Sequence, residues 1–229
     1  MSQVLLVDIE AIKGNAPEVS LAPFMRSLRG KKTSNPIAQQ REIIEKRDKV
    51  LEKVALTPVA SRLLCIGVLE TFSLLSDETW HFIFDVNERE MILKFKRLVD
   101  KFETKFVTFN GRSYDFPFLM FRAAINEVDL QLPIYPYNGR DGHFDMFVHL
   151  NSISNLGNLD SSWQMIGLKK WIDYFGINVD KPSISDGEID LMELLSQGES
   201  GIQKIEEYVK GDITALNFLF KKFKGNFDI

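Results

Sequence analysis

The sequence predicts an α/β protein with a mixed β-sheet flanked by helices, because its periodic segments run as three strands, a helix, a strand and then mostly helices. Three observations carry this. Residues 3–9 hold a continuous apolar stretch with recurring β-branched side chains, as a buried strand does. Residues 62–72 and 79–85 are two further strand-like runs joined through the polar turn Ser76-Asp77-Glu78. Residues 88–102 and 202–223 repeat apolar side chains at helical spacing. With 229 residues, 45% of them apolar, the chain can fill a core, and wholesale disorder is excluded.

The elements follow in order. Residues 14–35 are rich in Gly, Pro, Ser and Lys and read as a loop or flap. Pro36 suits the first position of a helix, where its missing N–H costs nothing. That helix runs to about Leu56 with Ile37, Ile44, Leu51 and Val54 as its apolar side, and Pro58 ends it. In the 88–102 helix Met91, Ile92, Phe95, Leu98 and Val99 share one side. Residues 105–109 form another strand, stopped by Asn110-Gly111, and a helix follows over 115–125. Residues 143–149 read as a short strand or a helix start, and 168–175 as a helix capped by Gly176. The last helix carries Ile202, Ile205, Val209, Ile213, Leu216, Phe220 and Phe223. The expectation is a single domain over 1–229 with an insertion, loop plus helix, at about 14–60.

Composition narrows the chemistry. Cys65 is the one cysteine, so neither an intramolecular disulfide nor a thiolate zinc cage can form. His81, His143 and His149 match no metal-binding spacing, so a metal would be held mainly by carboxylates, which favours magnesium or manganese. The apolar run 63–69 falls far short of the ~20 residues of a membrane helix. The N-terminus sets Asp8 and Glu10 straight after Val4-Leu5-Leu6-Val7 with no basic flank, unlike a signal peptide. A soluble cytoplasmic protein is therefore expected. The net charge is −4, yet residues 26–53 hold nine Lys/Arg against four Asp/Glu, a local +5 that leaves −9 for the remainder. A basic segment on an acidic body is either a strand-guiding surface or a solvated helix face with i,i+4 pairs.

Three short motifs carry the candidate chemistry. In Asp8-Ile9-Glu10, strand alternation sends both carboxylates to one face, which is costly unless a cation sits between them. The plainer reading is a charged strand end. In Asn110-Gly111-Arg112-Ser113-Tyr114-Asp115, a strand ends at a tight turn and an acid stands at a helix entry. Asp115 is there either an N-cap or a metal ligand, with Asn110 and Tyr114 touching substrate. In Tyr208-Val209-Lys210-Gly211-Asp212, positions i and i+4 bring a phenol and a carboxylate together beside the apolar stripe. Gly211 costs about 1 kcal/mol relative to Ala in a helix and suits close approach to that face.

In this order the three segments resemble the exonuclease motifs of the DEDDy family, 3'→5' exonucleases with a ribonuclease-H-like fold. They are most similar to the proofreading domains of family B DNA polymerases and to stand-alone exonucleases related to them. The resemblance is carried by residues 4–10, 106–121 and 208–216, with 55–68 similar to the second strand and its approach. It implies a ribonuclease-H-like mixed sheet, with Asp8, Glu10, Asp115 and Asp212 as ligands of two divalent ions, Mg2+ or Mn2+. Tyr208 would orient the attacking water; the histidine branch of the family would need its histidine at Glu207. Ala11 departs from the hydroxyl residue usual at that position, and no polymerase domain follows in this sequence, which speaks against proofreading within one chain.

The implied reaction is two-metal phosphodiester hydrolysis that releases mononucleotides from the 3' end of single-stranded DNA. Tyr208 is expected to position rather than act as base, because a phenol of pKa ~10 is protonated at neutral pH. Tyr114, Phe116 and Phe118 offer rings for a frayed base or belong to the core. Arg29, Lys31 and Lys32, in the basic segment, are expected to contact phosphates of the incoming strand. His143 and Asp145 read as a surface histidine and a strand-end acid with structural roles. The alternatives are an exoribonuclease, an inactive nucleic-acid-binding domain of the same fold, and an interaction module docking through the 36–56 helix. The presence of all four acids and the tyrosine argues against a decayed site.

Overall fold

The computed structural model describes residues 3–13, 35–54, 57–72, 77–133, 142–154, 166–179 and 191–226. Its strands are β1 (Gln3–Lys13), β2 (Ser61–Phe72), β3 (Glu78–Phe84), β4 (Thr104–Thr108) and β5 (His143–Asp145). They form one sheet in the order β3-β2-β1-β4-β5. The pairs β1–β2 and β2–β3 are antiparallel, and β1–β4 and β4–β5 are parallel. The helices are α1 (Pro36–Val54), α2 (Glu88–Val99), α3 (Asp115–Ile125), α4 (Met146–Ser154), α5 (Leu168–Tyr174), α6 (Leu191–Ser196) and α7 (Glu199–Phe223). This is the mixed sheet flanked by helices, an α/β arrangement, that the sequence predicts.

Alternation along β1 builds a core on each face. Leu5, Val7 and Ile9 pack with Met91, Ile92 and Phe95 of α2 and with Phe116, Phe118 and Leu119 of α3. Val4, Leu6 and Ile12 pack with Met146, Trp171 and the α7 stripe of Ile205, Val209, Ile213 and Leu216. Asp8 and Glu10 continue the second row toward the strand's C-terminal end, so the same alternation that makes the core aims two acids at α7. A register shift follows Glu10: Glu10 faces Cys65 while Ala11 faces Leu63, leaving Leu64 as the extra residue of β2. Leu64 and Cys65 accordingly both join the α7-side core. Gly67, opposite Asp8, sets how closely α7 can approach. A Cβ there would fall 2.3 Å from Val209 Cγ1, so any larger residue forces Val209 to shift.

Other contacts anchor α3. Arg122 forks onto Glu88, with Nε donating to Oε1 at 2.8 Å and Nη2 to Oε2, and its Nη1 donates to Pro58 O at 3.1 Å. Glu88 Oε1 also accepts from Leu63 N–H at 2.6 Å, so one carboxylate joins α2, α3 and β2.

Several boundaries differ from the sequence expectation. β1 runs on to Lys13 because β2 keeps pairing with it as far as Ser61. α2 stops at Val99, where the Thr104 hydroxyl donates to the Val99 carbonyl at 3.0 Å. α7 begins at Glu199, and α6 has no counterpart in the sequence reading. α1 opens as expected, with Asn35 Oδ1 accepting from Ile37 N–H at 3.0 Å and Pro36 at the first helical position. Its expected apolar side is not buried at its start, since Ile37 and Ile44 are exposed. Residues 14–34 and the turn at 73–76 lie outside the described residues.

Candidate active site

The sequence motifs meet at the C-terminal ends of the neighbouring parallel strands β1 and β4. Asp8 and Glu10 come from β1 and Asp212 from α7, all half-buried, and each offers an oxygen within 4.8 Å of the other two. Three like charges at that spacing repel by roughly 3–4 kcal/mol per pair at an effective dielectric of about 20, more than an ordinary hydrogen bond returns. A divalent cation would reverse the sign of that balance. Oxygen-only donors at this separation fit a hard ion such as Mg2+ or Mn2+.

Asp115 is the first residue of α3 and is buried. Its Oδ1 accepts the N–H of Ile9, the residue between Asp8 and Glu10, at 3.3 Å. The cap position belongs to Tyr114, which makes no side-chain cap bond, so the N-cap reading of Asp115 is replaced by this long-range contact. Burial raises the Asp115 carboxyl to about 7, and the charge of Asp145 adds to the rise, against the backbone N–H groups of Asp115 and Ile9. Asp115 thus stands against the strand that carries two of the three clustered acids, outside the trio itself.

Tyr208 is half-buried one helical turn before Asp212 and donates its hydroxyl to that carboxylate. Burial first, and then the charges of Asp212, Glu10 and Asp8, push its pKa above the ordinary phenol range. It keeps its proton at every working pH. Tyr114 lies on the same side: burial, followed by Asp115, Glu10 and Asp8, raises its pKa too. Tyr114 remains 38% exposed, whereas Phe116 and Phe118 are fully buried in the core. Of the three aromatics, Tyr114 is therefore the one able to meet a ligand. Asn110 sits in the left-handed region with φ 67°, an uncommon conformation that places it at the head of the turn. Gly211 is buried within α7. Ala11 packs in the α2–α3 core. Arg29, Lys31 and Lys32 lie outside the described residues.

Sequence reasoning misplaced one residue. His143, expected on the surface, is buried and stacks on Phe116 at 4.2 Å between ring centroids. Burial lowers it to about 3, so it is neutral. Asp145 is equally buried, and its carboxylate accepts backbone N–H groups from the turn of the second motif. The available signal was an acid immediately before a helix and after a short strand, an N-cap pattern that does not reveal what else the acid holds.

A mixed sheet in this strand order, with an acidic cluster between the end of its central strand and the last helix, defines an α/β protein with a carboxylate centre. The family model for predicted 3'-5' exonucleases related to the exonuclease domain of PolB matches residues 81–227, well over half of the chain. The chain belongs to that family. The matched span includes Asn110, Tyr114, Asp115, Tyr208 and Asp212 and begins after Asp8 and Glu10. No curated protein matches the chain. Among solved structures, a chain of an ExoI/SSB-Ct complex is similar over 100% of this chain and 46% of that chain, with 12% identity and a TM-score of 0.45. No helix among the described residues is long and apolar enough to cross a membrane.

Proposed function

We propose that the protein is a DEDDy-type 3'→5' exonuclease that hydrolyses single-stranded DNA from its 3' end and releases mononucleotides. The observation that carries this is the convergence of Asp8, Glu10 and Asp212 within 4.8 Å, with Asp115 bonded to the strand between the first two. The family's relation to the PolB exonuclease domain supports DNA ahead of RNA. In this reading residues 1–229 act as one domain, with 14–60 inserted.

Asp8, Glu10, Asp115 and Asp212 would hold two divalent ions, Mg2+ or Mn2+, which when bound supply Lewis-acid stabilisation of the phosphodiester's developing charge. Tyr208 commits its proton to Asp212, so its oxygen is left to accept a hydrogen bond from the attacking water and turn that water's lone pair toward phosphorus. Asn110 and Tyr114, at the mouth of the turn, hold the terminal nucleotide, with the exposed Tyr114 ring offering a stacking face. Arg29, Lys31 and Lys32 are assigned by charge to the phosphates upstream of the terminus.

Three expected outcomes test this reading. Mg2+ or Mn2+ at a hundredfold excess over Kd stabilises the fold by about 2.7 kcal/mol, seen as a rise in Tm that Asp8→Ala or Asp212→Asn blunts. An unmoved wild-type Tm counts against the ligand set. Tyr208→Phe lowers kcat by about 10–1000-fold with Mn2+ affinity and KM nearly unchanged. Full activity in that variant removes the tyrosine from the mechanism. Linear single-stranded DNA is degraded faster than RNA of the same sequence, and covalently closed circles survive. Preference for RNA selects the exoribonuclease alternative, and cleaved circles mean an endonuclease.

A further inference from the structure

Between β4 and α3 the chain turns through residues 110–114, and three consecutive N–H groups of that turn end on buried side chains of the sheet. Asn110 N–H donates to Asp145 Oδ1 at 2.9 Å, Gly111 N–H to Thr108 Oγ1 at 3.1 Å, and Arg112 N–H to Asp145 Oδ2 at 3.0 Å. Asp145 is 3% exposed and Thr108 is fully buried. The turn needs such restraint, since Asn110 is left-handed and Gly111 is crowded: a Cβ there would fall 2.4 Å from Thr108 Oγ1.

The direction of every proton in this network is fixed. His143 Nδ1 lies 3.0 Å from the Pro133 carbonyl, which can only accept, so Nδ1 carries the ring's proton. Nε2 is then a bare acceptor, and the Thr108 hydroxyl, 2.8 Å away, donates to it. That leaves Thr108 Oγ1 as the acceptor Gly111 requires. Arg112 returns the favour by donating Nη2 to the His143 carbonyl at 2.6 Å. Asp145 Oδ1 also accepts from Phe147 N–H at 3.0 Å, fastening the start of α4 to the same point.

We propose that Asp145 and Thr108 are positioning residues of the active site. Together they clamp the turn whose two ends are Asn110 and the Tyr114-Asp115 pair. The proposal rests on the nuclease reading for its catalytic consequence, not for the clamp itself. Asp145 acts on both sides of the left-handed residue, and Thr108 holds the glycine between, so loosening either lets Asn110, Tyr114 and Asp115 drift relative to Asp8 and Glu10. Misplacement of a catalytic constellation by about 1 Å costs on the order of a hundredfold in rate.

The test compares Thr108→Val, Thr108→Ser and Asp145→Asn, with Glu70→Gln as a control. Glu70 is a buried acid at the far end of β2 that holds Gln3 and His81, so its loss lowers Tm and leaves kcat/KM at the wild-type value. Valine keeps the volume of Thr108 and removes the hydroxyl; serine does the reverse. Asp145→Asn turns an amide N–H toward Arg112 N–H. The clamp predicts kcat/KM on single-stranded DNA lowered about 10–100-fold in Thr108→Val and Asp145→Asn, and little change in Thr108→Ser. A packing role gives the opposite order, valine active and serine impaired, and overturns the proposal, as does wild-type activity in Asp145→Asn. Amide hydrogen exchange reads the clamp without catalysis: residues 110–112 exchange slowly in the wild type and in Thr108→Ser, and faster in Thr108→Val. If wild-type protein degrades no nucleic acid, the nuclease reading fails and exchange alone decides the clamp. Equal exchange rates in the serine and valine variants overturn it, even where Asp145→Asn does not fold.

Discussion

Asp8→Asn and Asp212→Asn each lower kcat by about three orders of magnitude while leaving the fold intact. The size follows from what a divalent ion contributes when one of three converging carboxylates is lost. Lewis-acid stabilisation of the transition state is worth several kcal/mol, and each 1.36 kcal/mol is about tenfold in rate. Neither asparagine disturbs the core, since both positions are half-buried at its edge and the amide oxygen at 212 still accepts from Tyr208. Stability moves the other way from activity: without metal, each substitution relieves the repulsion among acids 4.8 Å apart or closer, so Tm in a chelator stays level or rises. Steady-state kinetics with Mg2+ and melting in EDTA check both halves. A variant that retains even a tenth of wild-type kcat removes its residue from the ligand set.

The second large effect is at Asp115. Its folded-state carboxyl is raised from 3.8 to about 7, chiefly by burial. Below pH 3.8 folded and unfolded states are both protonated and no penalty exists. Between pH 3.8 and 7 the folded protein holds a proton that the unfolded chain has released, so metal-free stability falls as pH rises through this window. Asparagine mimics the protonated acid. Asp115→Asn therefore makes the metal-free protein more stable than wild type by about 2–4 kcal/mol at pH 8, and equally stable at pH 4. The same variant loses activity and the stabilisation by Mn2+. Denaturant unfolding in EDTA at the two pH values is the measurement. A variant destabilised at pH 8 would mean that the charged carboxylate is satisfied within the fold, without need of a cation.

What could be read in the sequence was whatever depends on local period. Asp8 and Glu10 share a face because strand side chains alternate, and Tyr208 and Asp212 adjoin because helical residues four apart do. The strands and most helices followed from the same periodicities. What escaped depends on contacts between segments distant in the chain. Nothing near Asp115 announces that its partner is the N–H of Ile9, 106 residues earlier. His143 was misplaced because a lone polar residue in a three-residue strand carries no burial signal, and its partners Thr108, Pro133 and Phe116 are set by the parallel pairing of β4 with β5. The exposed Ile37 and Ile44 of α1 show the converse: helical periodicity marks an apolar side without supplying a surface to cover it.

The central claim, that this carboxylate centre removes nucleotides from a 3' end, is tested most directly by incubating wild-type protein with a 5'-labelled single-stranded DNA oligonucleotide and Mg2+. The expected result is a ladder that shortens one nucleotide at a time, mononucleotides as the released product, and no reaction in EDTA. Intact substrate after prolonged incubation with Mg2+ or Mn2+, or internal fragments without a ladder, would contradict it.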